Sequence, residues 1–217
     1  MKSTSDGTCC PLCGSENTGL FYADKKRVYL SCTGCELVFV PATYWLSAQE
    51  ERATYDLHQN DVRDHGYRRF LSRLSKPLLE RLDPHQQGLD FGCGPGPALS
   101  VLLQEQGHQV DLYDPFFFPD GSVFEKEYDF ICATEVVEHL HDPDKAFSAL
   151  FRMLKKGGWL AVMTKMVIDQ QAFSQWHYIR DMTHICFYSK GTFEYLAKRF
   201  HAQLEFVAKD VILFHKK

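Results

Sequence analysis

No stretch of this 217-residue chain approaches the roughly eighteen consecutive apolar residues that a membrane span needs. The first seven residues are polar and lack the apolar core of a secretory signal. These two absences predict a cytoplasmic protein with no membrane partner. A positive charge excess is missing too. Lys and Arg number 24 against 28 Asp and Glu, for a formal net charge of −4, so no strong electrostatic case for nucleic acid exists. Only a local basic patch would leave room for RNA. What is present is ordinary for a globular protein, with 45% hydrophobic and 24% charged residues. The length suits one main domain with a proper core and a small appendage. The eight cysteines fit a reducing compartment if they bind metal or stay as thiols, and do not fit a disulfide framework.

Four of those cysteines form two knuckles, Cys10-Pro-Leu-Cys13 and Cys32-Thr-Gly-Cys35, separated by eighteen residues. That is the spacing of a structural zinc site, in which two short turns on adjacent hairpins supply four tetrahedral thiolates. Two disulfides are the alternative, and the compartment argues against them. Cys9 is a spare neighbour, although Cys-Pro-x-Cys-Gly favours Cys10. Residues 20–22 and 28–30 read as paired strands, with 37–40 as a third. A closed four-thiolate site leaves no open position for chemistry. The ribbon's work is then folding, substrate docking or contact with a protein partner. Lys25, Lys26 and Arg27 at the hairpin tip would either touch an anionic partner or simply be solvated.

The most specific signal lies further on. Leu89-Asp90-Phe91 reads as a buried strand that runs into Gly92-Cys93-Gly94-Pro95-Gly96. Glycines let backbone turn sharply and approach a ligand closely. A second strand, 110–114, ends in Asp114 about twenty residues later, where a ribose-binding acid is expected. The turn reads D-x-G-x-G-x-G rather than the G-x-G-x-x-G of dinucleotide sites. It resembles motif I of the Rossmann-like S-adenosylmethionine (SAM) methyltransferases. The resemblance covers roughly residues 50 to 217. It implies an α/β fold, a doubly wound, mostly parallel seven-stranded sheet with a final antiparallel strand, preceded here by the small β zinc ribbon. The division expected is 1–41 for the ribbon, 42–83 for a linker and helical lid, and 84–217 for the SAM domain.

Helical spacing at 67, 70, 71, 74, 78 and 79 predicts a lid helix over 67–82, with a kink or fresh start at Pro77. By the resemblance, Tyr55, His58 and Tyr67 would cover the SAM pocket. A helix over 97–106 would point its N-terminus at the glycine turn, suiting the methionine carboxylate. After Asp114 the chain is short where the family has a third strand. Asp120 is the candidate for the adenine amine there, and Phe116, Phe117 and Phe118 either pack on the adenine or fill core, with core favoured. A strand over 128–133 leads into Thr134-Glu135-Val136-Val137-Glu138-His139, which resembles the family's motif at the carboxyl end of the sheet. SAM-binding candidates are therefore Asp90, Gly92, Cys93, Gly94, Gly96, Asp114, Thr134, Glu135, Tyr55, His58 and Tyr67. Asp142-Pro143 starts a helix that Lys155 and Lys156 would close before Gly157-Gly158, with a strand from 159. A helix over 190–199 and two strands near 203–208 and 211–215 complete the pattern.

Methyl transfer from a sulfonium mainly requires a nucleophile held in line. An oxygen or nitrogen acceptor also has to lose a proton. His184, in a long loop at the functional end of the sheet, is the first candidate base, and His139 the second. Glu135, Glu138 and His139 stand at i, i+3 and i+4, which on a helical turn would share one face. With His184 they would make a mixed oxygen and nitrogen site for Mg²⁺ or Mn²⁺. The E-x-x-E-H pattern is similar to that of ubiquinone-pathway O-methyltransferases and of small-RNA 3′-end methyltransferases, where a metal lowers the acceptor pKa. The alternative is a metal-free pocket that the same residues order. A small-molecule acceptor is favoured. RNA follows, since some ribosomal-RNA guanine methyltransferases also carry a ribbon. Sugar C-methyltransferases with a similar ribbon have a further domain not seen here. A non-catalytic, SAM-binding module that docks a partner is the remaining class.

Overall fold

The glycine turn sits at the carboxyl edge of a six-stranded sheet, and the strand order explains how it gets there. The computed structural model describes residues 8–57 and 60–217. In chain order come β1 (Thr18–Ala23), β2 (Val28–Cys32) and β3 (Val38–Phe39), then α1 (Ala48–Tyr55) and α2 (His65–Leu79). They are followed by β4 (Gln87–Phe91), α3 (Ala98–Gln104), β5 (Gln109–Tyr113), β6 (Tyr128–Thr134), α4 (Pro143–Met153) and β7 (Leu154–Met163). The chain ends with α5 (Gln170–Ser174), β8 (Cys186–Phe187), α6 (Lys190–Arg199), β9 (Ala202–Phe206) and β10 (Val211–Lys216). The large sheet has the order β5-β4-β6-β7-β10-β9. Its first four strands are parallel, and β10 runs antiparallel to both neighbours. This is the Rossmann-like sheet with its antiparallel strand.

The expected seventh strand is absent among the described residues. Where it would stand, Asp114 and Phe118 make a single antiparallel bridge, and Gly121–Glu125 forms a 3-10 turn. A parallel crossover takes a dozen or more residues by itself, so the stretch between β5 and β6 has no room for an extra strand as well.

Local sequence sets most boundaries. Asp142 caps α4 by accepting from the Lys145 N–H, Pro143 opens the first turn, and the helix buries Phe147, Leu150 and Phe151. It ends at Met153, so Lys155 and Lys156 belong to β7 rather than to the helix C-terminus. The reason is tertiary. Leu154 pairs with Tyr128, and Lys155 reaches Asp129 at 2.8 Å on the neighbouring strand. Asp64 caps α2, which buries Leu71, Leu74 and Leu78. The helix starts at His65 and passes through Pro77 without a fresh start, because Pro77 stands in its last turn. No helix among the described residues is long and apolar enough to cross a membrane.

The ribbon sheet is completed from far along the chain, in the order β1-β2-β3-β8. Val38 pairs with Phe187 and Phe39 with Cys186, and the Val40 N–H donates to the Ile185 carbonyl at 2.9 Å. At the hairpin tip Lys25 and Lys26 are exposed as expected of a solvated turn. Arg27 is not, being only 1% exposed beneath the segment 179–182.

Candidate functional site

β4 carries Asp90 to the sheet edge, and the chain then turns through Gly92 and Gly94 at φ of 74° and 64°. A side chain at 92 would also strike Val136, whose Cγ2 would lie 2.4 Å from the added Cβ. β5 ends beside this turn, and Asp114 ties the two together. Its carboxylate accepts from the N–H groups of Gly94 at 3.1 Å, Phe116 at 2.9 Å and Phe117 at 3.1 Å. The turn opens onto a cavity of about 710 Å³. Asp90, Gly92, Cys93, Gly94, Asp114, Thr134 and Glu135 line it, with Tyr55 and Tyr67 from α1 and α2 above.

Several expectations change here. Gly96 does not line the cavity; an added Cβ would lie 1.9 Å from the Asn60 carbonyl oxygen, so the Asn60 backbone covers it. His58 lies outside the described residues. Asp120 is exposed and accepts from Ser122 instead of facing the cavity. Phe116 and Phe117 line the cavity rather than filling core, because the Asp114 carboxylate bends the backbone at their N–H groups.

The electrostatics suit a polar ligand. Burial pushes the Asp90 carboxyl up to about 7, against a backbone hydrogen bond from Ser100 and with added repulsion from Asp114. Burial, then the charge of Asp90, pushes Tyr67 up to about 12. Burial likewise raises the Cys93 thiol and the Tyr55 phenol. Thr134 Oγ1 and Glu135 Oε1 are buried with no partner. Buried polar atoms rarely stay unpaired, so a ligand with donors fits there.

The far end of the cavity carries the histidines. Glu135, Glu138 and His139 do not share a helical face. Glu135 adopts φ 51°, and only Val137–His139 turn, as a 3-10 helix. The 3-10 turn points the buried Glu138 inward. Ligand atoms of Glu138, His139 and His184 nonetheless lie within 4.8 Å of one another, while Glu135 stands outside that group. Glu138 is fully buried and accepts from Thr164 at 3.0 Å and from the Tyr178 hydroxyl. The same hydroxyl reaches Glu135 at 3.4 Å. Burial pushes Glu138 up to about 7; burial and then the charge of Glu138 push Glu135 to about 8.

His139 Nδ1 faces the Thr183 carbonyl at 3.2 Å, and His184 Nδ1 faces the Tyr178 carbonyl at 2.8 Å. A carbonyl only accepts, so both Nδ1 atoms carry a proton. Burial, then the charge of His139, pulls His184 down to about 3, which keeps it neutral. A carboxylate, the neutral His184 ring and the oriented His139 ring can accept a proton or ligate a hard divalent cation.

The four ribbon cysteines also converge. Cys10 and Cys35 sulfurs are 3.5 Å apart, those of Cys13 and Cys32 3.4 Å, and all four lie within 4.8 Å of one another. None forms a disulfide, and Cys9 is exposed outside the cluster. Thiolates at 2.3 Å from one tetrahedral zinc would be about 3.8 Å apart, so the donor set fits. The hydrogen bond from Cys35 holds the Cys10 thiol down at about 5.

Sequence reasoning missed other contributors. Tyr178 lay in the loop singled out, but nothing local marked its bridge between two carboxylates. Thr164 and Asn60 carried no signal at all. On α1, Glu51 pairs with His141 at 3.0 Å, and Arg52 donates to the Phe116 carbonyl at 3.0 Å with its guanidinium 4.7 Å from the Phe117 ring. These contacts fasten the lid over the cavity.

A family model for a methyltransferase domain matches residues 62–205. Over 71 residues the chain is 31% identical to a ubiquinone biosynthesis O-methyltransferase of Klebsiella pneumoniae (strain 342), covering 33% of this chain and 29% of that relative. The match thus spans under a third of the relative's length. An O-methyltransferase family protein from Burkholderia thailandensis superimposes with a TM-score of 0.52 at 13% identity, covering 77% of this chain and 62% of that one. A methyltransferase in calicheamicin biosynthesis, in its SAH-bound form, gives 0.50 at 15% identity over 78% of this chain and 59% of that one. At such identities the fold is what is shared.

Proposed function

Because this chain belongs to the methyltransferase domain family, whose model spans residues 62–205, we propose that it moves the methyl group of SAM to an oxygen or nitrogen of a small-molecule acceptor. The observation that carries this reading is the single cavity joining Asp90, Gly94 and Asp114 to His139 and His184. Its volume of about 710 Å³ lies within the range of small-ligand sites and suits a cofactor with a modest acceptor. The name of the Klebsiella relative supports oxygen as the acceptor atom.

SAM supplies an electrophilic methyl on its sulfonium. The protein's part is placement and proton removal. Asp114 would bind the ribose hydroxyls, with the backbone of Gly92, Cys93 and Gly94 close beside. Thr134 Oγ1 and Glu135 Oε1 would meet polar atoms of the cofactor. Tyr55 and Tyr67 would close over it. Where no metal is bound, the neutral His184 would take the acceptor proton at Nε2, with the His139 ring beside it. Where a divalent cation is bound, Glu138, His139 and His184 would instead hold the Mg²⁺ or Mn²⁺, whose charge lowers the acceptor pKa. The four cysteines Cys10, Cys13, Cys32 and Cys35 would hold a structural zinc.

The test is incubation with methyl-labelled SAM and cell extract, with and without chelation of Mg²⁺ and Mn²⁺. Products are then split by size and ribonuclease sensitivity. Label in small molecules is the expected result. Label in RNA would overturn the acceptor class. Unchanged labelling after chelation would remove the divalent site, and SAM binding without any labelling would favour a non-catalytic module.

A further inference from the structure

The fully buried Arg27 reaches from the ribbon into the segment that carries His184. Its Nη1 donates to the Met182 carbonyl at 3.0 Å, and its Nη2 to those of Ile179 at 3.0 Å and Asp181 at 2.9 Å. Its Nε donates to the Tyr29 hydroxyl at 2.9 Å. The hairpin is shaped to aim it. Asp24 Oδ1 accepts from the N–H groups of Lys26 and Arg27, and Asp24 Oδ2 accepts from the Tyr29 hydroxyl at 3.0 Å. A buried guanidinium is costly unless its donors are used. Here they satisfy three carbonyls that the tight bend at 179–182 turns inward. The planar fork suits that convergence, and a lysine ammonium does not reproduce it.

The ribbon grips the same segment a second time. Just beyond His184, β3 pairs with Cys186 and Phe187, and Val40 donates to Ile185. Residues within and beside these grips make the contacts of the candidate site. Tyr178 bonds Glu138, His184 Nδ1 bonds the Tyr178 carbonyl, and the Ile185 N–H donates to the Glu138 carbonyl at 2.8 Å.

We propose that Arg27 is a positioning residue, through which the four-cysteine ribbon holds the 178–185 segment so that His184 meets Glu138 and His139. The ribbon, none of whose described residues lines the cavity, is then a support behind the acceptor site rather than a separate docking module. β2 links the two functions directly, with Arg27 just before its first residue and the metal-ligand candidate Cys32 at its end. This inference rests on the assignment of His184 to the acceptor end of the cavity. At the SAM end the glycine turn and Asp114 belong to other elements, and Tyr178 touches that end through its hydroxyl, 3.4 Å from Glu135.

The experiment compares full-length wild type, Arg27→Met and Arg27→Lys. It reads zinc content, SAM affinity by calorimetry, amide hydrogen exchange by segment, and Mn²⁺ binding. Arg27→Met is expected to keep its zinc and SAM affinity within about twofold. Its amides over 178–185 should exchange at least about tenfold faster, the consequence of three carbonyls losing buried donors. Mn²⁺ should bind at least about tenfold more weakly, and Arg27→Lys should recover part of both losses. Unchanged exchange over 178–185 would overturn the proposal, as would acceleration spread evenly over the whole chain. If Arg27→Met does not fold, Arg27→Lys carries the same two readouts against wild type. A wild-type protein that binds no Mn²⁺ would remove the divalent site while leaving the exchange result to decide the role of Arg27.

Discussion

Replacing Asp114 tests the SAM assignment most directly. The carboxylate is 8% exposed and already accepts from three backbone N–H groups, those of Gly94, Phe116 and Phe117. These bonds use in-plane lone pairs on both oxygens and hold the carboxylate at the cavity wall, where ribose hydroxyls would donate to it. A hydrogen bond to a charged group contributes about 1.5–3 kcal/mol, so losing two hydroxyl contacts should cost about 3–6 kcal/mol. Asp114→Ala should therefore raise the SAM Kd by about 10² to 10⁴-fold. It also leaves three N–H donors without their acceptor, at about 1–3 kcal/mol for each one that water cannot reach. Asp114→Asn keeps one acceptor oxygen, so its losses in affinity and in Tm should both be smaller. Calorimetric titration with SAM gives the affinity, and thermal unfolding shows that the variants are folded. A folded Asp114→Ala protein that binds SAM within about threefold of wild type would refute the ribose contact.

Gly96→Ala pushes a Cβ against the Asn60 carbonyl, and overpacking of this kind costs about 1–3 kcal/mol, so SAM affinity should fall about tenfold or more as the Asn60 segment lifts. Gly121→Ala, with nothing within 4 Å of its added Cβ, should leave binding unchanged in the same titration. The pH dependence of the ligand-free protein follows from buried acids. A carboxyl with a raised folded pKa stabilises fully below its unfolded value and loses that contribution as pH rises through the folded one. For Asp90 the window runs from about 4 to about 7. Glu138 and Glu135 lose theirs up to about 7 and 8, while His184, pulled down to about 3, adds stability as pH climbs toward 6.5. The net stability should fall between pH 5 and 8. Asp90→Asn should flatten the slope below pH 7 by one proton in denaturant titrations, and an unchanged slope would refute the buried-acid account. Metal analysis should find one zinc per chain. Cys32→Ser should lose it and lower Tm by at least about 5 °C, whereas Cys9→Ser should change neither.

The elements that were legible in the sequence depend on neighbours a few residues apart. The knuckles at Cys10 and Cys32 announce a tetrahedral donor set by spacing, and the four sulfurs do converge. The glycines after Asp90 announce a turn with positive φ, and Gly92 and Gly94 take it. The Asp142-Pro143 start is read from capping chemistry alone. Misreadings arose where a distant strand overruled local preference. Lys155 and Lys156 look like a helix end until Leu154 pairs with Tyr128 on β6 and Lys155 reaches Asp129. Phe116 and Phe117 look like core until Asp114 folds the backbone beneath them and they line the cavity.

The α/β alternation, the acid-ended strands with their glycine turn, and the four-cysteine ribbon were legible in the residues alone. All of these follow from backbone periods and from turns that only certain residues permit. Tertiary structure alone decided which acids and imidazoles meet. Glu138 joins His184 across 46 positions of chain because a 3-10 turn points it inward, while Glu135 is left beside the glycine turn. It also decided that Arg27 is buried, since its partner Met182 lies 155 residues away. Such pairings depend on the order in which strands assemble into sheets, and no spacing within a short window encodes that order.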